Sequence, residues 1–156
     1  MKILAVDYGA SRTGLAVCDP TEFLTTPITP QITLKARPKV AAEVCRIAQE
    51  QKAELIVVGL PLNMDGTEGS RCVKSRRFAA RLATACGVPV VLWDERRTTV
   101  TAAGILSANS TFGADRKARL DSVSAAVILE SFLAWRKAHP GEEPPEVAAP
   151  TAPEQA

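Results

Sequence analysis

Short apolar runs alternate with amphipathic segments along this chain, a pattern that predicts a sheet covered by helices. Apolar runs that end in turn residues predict strands at 3–6, 14–18, 55–58 and 90–93. A weaker strand is predicted between 23 and 33, where the Pro content favours an edge position because Pro cannot donate to a neighbouring strand.

The longer segments carry apolar residues at helical spacing. They predict helices over 38–52, 70–86, 98–107 and 119–137, whereas the polar, Gly-containing segment 109–117 predicts a loop. Three strands followed by alternating helices and strands indicate an α/β fold with a mixed five-stranded sheet. That sheet is expected to be an antiparallel meander first and parallel afterwards, with helices on both faces.

The end of the chain differs in composition from the rest. Residues 139–156 contain four Glu, five of the 11 Pro and no Lys or Arg, which predicts a disordered acidic tail after a folded domain at 1–138. The whole 156-residue chain has a formal net charge of +2, but residues 1–138 hold 19 basic and 13 acidic side chains and therefore carry +6. A compact basic domain is typical of proteins that bind a polyanion, and the plain alternative is that the positive charge serves only to keep the protein soluble.

Other features of the composition exclude whole classes of protein. No apolar run approaches the roughly 20 residues that cross a bilayer, and the apolar start of the chain is too short for a secretory signal, so we expect a cytoplasmic protein without membrane contact. The four Cys are 27, 27 and 14 residues apart without a C-x-x-C pair, which predicts reduced, buried thiols. The single His, at position 139, lies where the tail begins, so mechanisms that need a catalytic His in the core are excluded.

Three carboxylates occupy positions where chemistry is expected. Asp7 follows the first strand, Glu95 follows the last, and Asp121 opens the final predicted helix. Ligands of such sheets bind beyond the carboxyl ends of the parallel strands, where acids from distant parts of the chain can meet. Their mutual repulsion is relieved by a divalent cation, and hard oxygen ligands suit one or two Mg²⁺ or Mn²⁺ ions at a phosphoryl-transfer site.

Each acid also has a plain structural reading. An Asp at the end of a strand is often only a turn residue, an exposed Glu beside Arg can form a weak ion pair, and an acid in the first turn of a helix interacts favourably with the helix dipole. Convergence of all three at one sheet edge is what favours the catalytic reading.

Basic residues cluster around these acids in the sequence. The helix over 70–86 is rich in Arg and Lys, and further cations flank two of the acids. The plain interpretation of these residues is a solvated helix face, and the functional one is contact with nucleic-acid phosphates. Contact with bases is not expected, because no aromatic residues interleave with the basic ones to stack on bases. The candidate phosphate-binding residues are Arg71, Lys74, Arg77, Arg81, Arg96, Arg97, Arg116, Lys117 and Arg119.

Four segments together resemble a known family. They are ILAVDYGASRTGLAVCD, LIVVGLPLNMDGTEGSR, VLWDERRTTVTAA and LDSVSAAVILESFLAW, and their order and spacing are similar to the signature regions of the YqgF/RuvX family. Members are cytoplasmic bacterial proteins of ribonuclease H-like fold, described as Holliday junction resolvases and as nucleases that mature precursor 16S ribosomal RNA. The resemblance covers about residues 1–138, and Thr13 departs from it by standing where an aliphatic residue is usual.

The resemblance implies a divalent-metal-dependent nuclease. It implies that Asp7, Glu95 and Asp121 are the metal-binding catalytic acids, and that Arg12 and the 59–69 loop, with Asn63, lie near a nucleic-acid substrate. Whether that substrate is precursor RNA or branched DNA, and whether the protein is a monomer or a homodimer, both stay open at this point.

Two other functions compete with the nuclease interpretation. One is a non-catalytic nucleic-acid-binding or ribosome-associated module in which the acids are only structural. The other is a phosphotransferase of the actin and sugar-kinase type, because Asp7-x-Gly9 with Gly14 is similar to the phosphate loop of that superfamily. The length of the chain argues against the second, since such enzymes close a nucleotide between two domains of this kind.

Overall fold

The structure is a computed structural model that describes residues 1–98 and 113–145, with only the backbone described at 97–98 and 113–122. Its elements, in chain order, are β1 (Ile3–Tyr8), β2 (Thr13–Cys18), β3 (Thr25–Ile32), α1 (Arg37–Glu50), β4 (Leu55–Leu60), α2 (Ser70–Cys86), β5 (Val90–Asp94), a 3-10 turn (Glu95–Thr98) and α3 (Gly113–Ala138).

The five strands form one mixed sheet in the order β3-β2-β1-β4-β5. The first three pair antiparallel, while β4 pairs parallel with β1 and with β5, as the strand and helix order predicts. Strand β3 lies at an edge, and Pro27 and Pro30 lie within it. The predicted fold class and the predicted edge position are therefore confirmed.

The sheet separates two apolar layers. On β1, Leu4 and Val6 pack toward α1 and α2, whereas Ile3 and Ala5 pack toward α3, because successive side chains of a strand point to opposite faces. All six residues of β4 are buried, as expected for a central strand covered on both sides. The two helical layers thus hold the carboxyl ends of β1, β4 and β5 in fixed positions.

The start of α3 corrects the sequence prediction. The helix begins at Gly113, so the loop predicted over 109–117 is wrong from that residue on, and Asp121 lies in the third turn instead of opening the helix. The segment from Ala114 to Leu120 is rich in strong helix formers, whose summed propensity outweighs one Gly at the terminus. The helix predicted over 98–107 falls, after Thr98, outside the described residues.

The cysteines give a second correction. Cys45 of α1 and Cys86 at the end of α2 form a disulfide, although reduced thiols were expected at both positions. The two residues are 41 positions apart, and only the packing of α1 against α2 brings their Cα atoms to 5.1 Å. Cys18 and Cys72 are buried free thiols, as predicted.

Two further sequence expectations concern membranes and the tail. None of the helices within the described residues combines the length and the apolarity needed to cross a membrane. Residues 139–145 form no helix or strand, and residues 146–156 lie outside the description, so the disordered tail stays a prediction.

Thr13 offers a test of the core. This β2 residue is fully buried on the face of Leu15, and its Oγ1 has no hydrogen-bond partner among the described residues. Burying an unpaired hydroxyl costs stability, so we expect Thr13→Val to raise the free energy of unfolding by about 1 kcal/mol in urea titrations. Thr26→Val, at an exposed position of β3, is the matched control and should change it by less than about 0.5 kcal/mol. A less stable Thr13→Val protein would contradict this reading.

Candidate active site

Asp7 lies near the carboxyl end of β1, on the face that is covered by α3. Ile3 and Ala5 of the same strand pack toward α3, and the two-residue repeat of a strand places Asp7 on their side. The loop that follows is tight: a Cβ on Gly9 would clash with the backbone oxygen of Arg12. This close approach requires glycine and keeps the exposed Arg12 within one short turn of Asp7.

Glu95 approaches the same place from β5. Trp93 is 2% exposed and packs on the α3 side, where its Nε1 donates to Ser131 Oγ at 3.1 Å. Glu95 comes two residues later. Its side chain lies over Gly59 of β4, since a Cβ on that glycine would be 2.7 Å from Glu95 Oε2 and 2.6 Å from Ile128 Cδ1.

Gly59 therefore leaves the space that the Glu95 carboxylate occupies. The strand β4 lies between β1 and β5, and the ladder pairs Val58 with Val6 and Gly59 with Trp93. A larger residue at 59 would displace either Glu95 or α3. Sequence reasoning missed this position, although a glycine inside an apolar strand is a recognised signal of close approach.

The electrostatics of Glu95 reflect this crowded position. Burial raises the pKa of its carboxyl to about 7 from an ordinary 4.5, and the negative charges of Asp7 and Asp94 add to the effect, while Arg71 opposes it. Desolvation disfavours the charged form, and a nearby like charge disfavours it further. Asp7 and Arg71 are therefore both near enough to Glu95 for their charges to shift its pKa.

The third predicted acid lies on α3. This helix passes the carboxyl end of β4 at Ile128 and reaches the opposite end of the sheet at Arg136, whose Nε donates to Glu22 at 2.8 Å. Position 121 is seven residues before Ile128 and shares its helix face, so the backbone there lies beyond the carboxyl edge of the sheet. The Asp121 side chain is outside the description. Among the described side chains, Asp7 and Glu95 do not amount to a cluster of three potential metal ligands.

The loop between β4 and α2 is closed on itself. Asn63 Nδ2 donates to Thr67 Oγ1 at 2.9 Å, and the Asn63 and Thr67 backbones are also hydrogen bonded. Asp65 accepts from the Thr67 amide at 2.9 Å. The amide group of Asn63, a predicted substrate contact, is thus used to hold the loop.

The predicted basic residues fall into different environments. Arg71, Lys74 and Arg81 are exposed on α2, and Arg77 is half-buried. Arg96 is bound within the protein: it donates to both Asp94 carboxylate oxygens and, through Nη1, to the backbone oxygen of Met64 at 3.3 Å. The side chains of the remaining candidates lie outside the description, and these are Arg97, Arg116, Lys117 and Arg119.

The site and the sheet together define a class of protein: a ribonuclease H-like fold with acidic residues at the carboxyl ends of its first and last strands. Two solved structures support this fold. The chain of Thermus thermophilus RuvC in complex with a Holliday junction substrate has a TM-score of 0.57 and 13% identity, with 86% of this chain and 96% of that chain covered. A second structure of Thermus thermophilus RuvC has a TM-score of 0.54 and 14% identity over the same shares.

Sequence comparison identifies the family. The family model RuvX, described as Holliday junction resolvase, matches residues 1–135, and this chain belongs to that family. A Syntrophus aciditrophicus protein named "Putative pre-16S rRNA nuclease" is 40% identical over 133 residues, which are 85% of this chain and 88% of the relative. A Rhodopirellula baltica protein of the same name is 39% identical over 85% of this chain and 76% of its own length.

Proposed function

We propose that this protein is a cytoplasmic, divalent-metal-dependent nuclease that hydrolyses phosphodiester bonds of precursor 16S ribosomal RNA, of branched DNA such as Holliday junctions, or of both. The observation that carries the proposal is the position of the Glu95 carboxylate over Gly59 and within range of the Asp7 charge, at the sheet edge where such folds bind ligands. The family match and the names of the relatives supply the substrate classes.

The donor set suits a divalent cation. Glu95 is half-buried and its charge is repelled by that of Asp7, which is unfavourable without a compensating positive charge. Carboxylate oxygens are the ligands that Mg²⁺ and Mn²⁺ prefer, and Asp121 lies on α3 two helical turns before Ile128, which approaches Gly59 from the same side as Glu95. We therefore assign Asp7, Glu95 and Asp121 as the residues that hold one or two ions of Mg²⁺ or Mn²⁺.

The residues of the candidate site have different roles in the proposed hydrolysis. When bound, the cation supplies Lewis-acid stabilisation of the charge on the phosphate and activates water. Asp7 and Glu95 hold their carboxylates in place through β1 and β5, so little reorganisation is needed during the reaction. Arg71, whose charge already acts on Glu95, is placed to contact a phosphate oxygen of the bound strand.

The basic face of α2 extends this contact along the substrate backbone. Its buried side carries Cys72, Phe78 and Leu82, and so its exposed side presents Lys74 and Arg81 to solvent. Cations on a rigid helix suit phosphate groups, which carry no sequence information, so we expect recognition of backbone and shape. Arg96 contributes differently, because its guanidinium already binds Asp94 and the Met64 carbonyl.

A cleavage assay on three substrates tests the proposal. The full chain is incubated with a precursor 16S ribosomal RNA fragment, a four-way DNA junction and a linear duplex, each in Mg²⁺, Mn²⁺ or EDTA. We expect cleavage of the RNA, the junction or both with a divalent cation and none in EDTA. Glu50→Gln, which removes an exposed acid of α1, is the matched control and should cleave like the wild type.

The same assay separates the nuclease from its main alternative. Binding of these substrates without divalent-dependent cleavage of either the RNA or the junction would overturn the proposal in favour of a non-catalytic binding module.

A further inference from the structure

The loop between β4 and α2 exposes one large apolar side chain beside the candidate active site. Met64 is 80% exposed. Of the large apolar side chains that the structure describes, only Phe23 is as exposed, at 81%, and it lies after β2 at the opposite end of the sheet.

The turn that carries Met64 has a defined shape. Asn63 and Thr67 close it with a backbone hydrogen bond of 2.9 Å and a side-chain hydrogen bond of 2.9 Å, and the Gly66 amide donates to the Asn63 oxygen. Gly66 has a φ of 87°, a left-handed conformation that favours glycine. These bonds fix the backbone on both sides of Met64 and leave its side chain at the tip.

A second set of contacts ties this turn to the site. Arg96 follows Glu95 directly, donates to Asp94 and reaches the Met64 carbonyl oxygen at 3.3 Å. A single arginine side chain therefore bridges the tip of the loop and the end of β5, so the two lie close together. Hydrogen bonds of Arg96 thus connect the tip of the loop to the residues next to Glu95.

The base of the loop is held as well. Glu68 accepts two hydrogen bonds from Arg76, at 2.8 and 2.6 Å, and both side chains are at most 15% exposed. Cys72 Sγ donates to the Pro61 oxygen at 3.0 Å. A partly buried, charge-assisted pair is stronger than an exposed one, so the loop is braced against α2 at its base and against β5 at its tip.

We propose that Met64 inserts between stacked bases of the nucleic acid next to the bond that is cut. The inference rests on the proposed nuclease function and deepens it. Apolar side chains, Met among them, serve as wedges between base steps in other DNA-binding proteins, where they unstack and kink the helix. Base faces are the apolar surface that a nucleic acid offers, and the cations of α2 would hold the flanking phosphates.

The wedge predicts a substrate preference that needs no contacts to base edges. Unstacking is least costly where bases are already poorly stacked, as at a branch point or at the end of an RNA helix. A rigid apolar tip therefore favours branched or irregular structures over a continuous duplex. Discrimination would come from the deformability of the substrate instead of its sequence.

Fluorescence of 2-aminopurine measures insertion separately from cleavage. The cleavage site of the wild-type protein is mapped first, and the base beside it is replaced by 2-aminopurine, which brightens when it is unstacked. In an Asp7→Asn background with Mg²⁺, saturating protein should raise the fluorescence at least several-fold. Adding Met64→Ala should remove most of this rise, Met64→Leu should retain it, and Phe23→Ala should leave it unchanged.

Binding is followed in parallel by fluorescence anisotropy, so that every comparison is made at saturation. Met64 is exposed, so its variants are expected to fold, which circular dichroism confirms or denies. An equal rise with Met64→Ala, or no rise in the Asp7→Asn parent despite binding, overturns the wedge and leaves the nuclease proposal intact. Absence of cleavage by the wild-type protein, with or without binding, overturns the two proposals together, because no bond is then cut beside which Met64 could insert.

Discussion

Replacing Asp7 by Asn, or Glu95 by Gln, is expected to slow nucleic-acid cleavage by about 10³-fold or more and, in metal-free buffer above pH 7, to stabilise the fold. The loss follows from the proposed role of both carboxylates as cation ligands, an interaction worth several kcal/mol in the transition state. The stabilisation follows from removing one of two like charges that repel each other, since the charge of Asp7 contributes to the raised pKa of Glu95.

The pH dependence of the free energy of unfolding should distinguish Glu95→Gln from the wild type. Because the folded-state pKa of Glu95 is about 7 and its ordinary value is 4.5, the folded protein binds more protons than the unfolded chain between these values. The free energy of unfolding therefore falls as pH rises from 4.5 through 7, by about 3 kcal/mol at most. Glu95→Gln stays neutral and should lack this fall.

Urea titrations at pH 5 and pH 8 in EDTA measure this difference, alongside cleavage rates in Mg²⁺ or Mn²⁺. Glu50→Gln serves again as the control, since that acid is exposed on α1 and far from the sheet edge in the fold. If Glu95→Gln is less stable than the wild type at pH 8, or either variant cleaves at the wild-type rate, the assignment of these acids is wrong.

Loss of the Cys45–Cys86 disulfide is expected to lower the free energy of unfolding by about 4 kcal/mol, the loop-closure entropy for residues 41 apart. The reason is that the bond restricts the unfolded chain across α1, β4 and α2. Urea titrations of oxidised wild type and of Cys45→Ala/Cys86→Ala should differ by this amount. In dithiothreitol the two proteins should have similar free energies of unfolding. Reduction should lower this free energy for the wild type and leave that of the variant unchanged.

Thiol titration provides an independent check. Denatured, oxidised wild-type protein should present two reactive thiols, Cys18 and Cys72, instead of four. Four reactive thiols, or equal stability of both proteins without reductant, would contradict the pairing.

Much of the fold was predictable because it depends on local patterns. Short apolar runs that end in turn residues located β1, β2, β4 and β5, and the prolines of β3 placed it at an edge, where a missing amide does no harm. The predicted start of α3 was wrong, because Gly113 and the polar residues before it are typical of a loop, whereas the helix propensity of the residues after it prevails in the fold. The pairing of Cys45 with Cys86 leaves no local trace at all.

The candidate site divides in the same way. Asp7 and Glu95 were found as acids that follow strands, and the topology then brings those strand ends together. The long-range contacts of the basic residues were not predictable. Arg76 looks like a free basic residue in the sequence, yet it binds Glu68 in the fold. Arg96 is a sequence neighbour of Asp94, but its second contact, to the Met64 carbonyl oxygen, exists only in the fold.

By itself, the sequence determined the fold class, the family and the two acids whose side chains the structure describes, because hydrophobic periodicity and motif spacing are properties of neighbouring residues. Only the tertiary structure decided which groups touch: Glu95 over Gly59, Cys45 on Cys86, and Arg96 on the loop that exposes Met64. These contacts join residues distant in the chain, and their energies depend on distance and burial, which exist only once the strands and helices have packed.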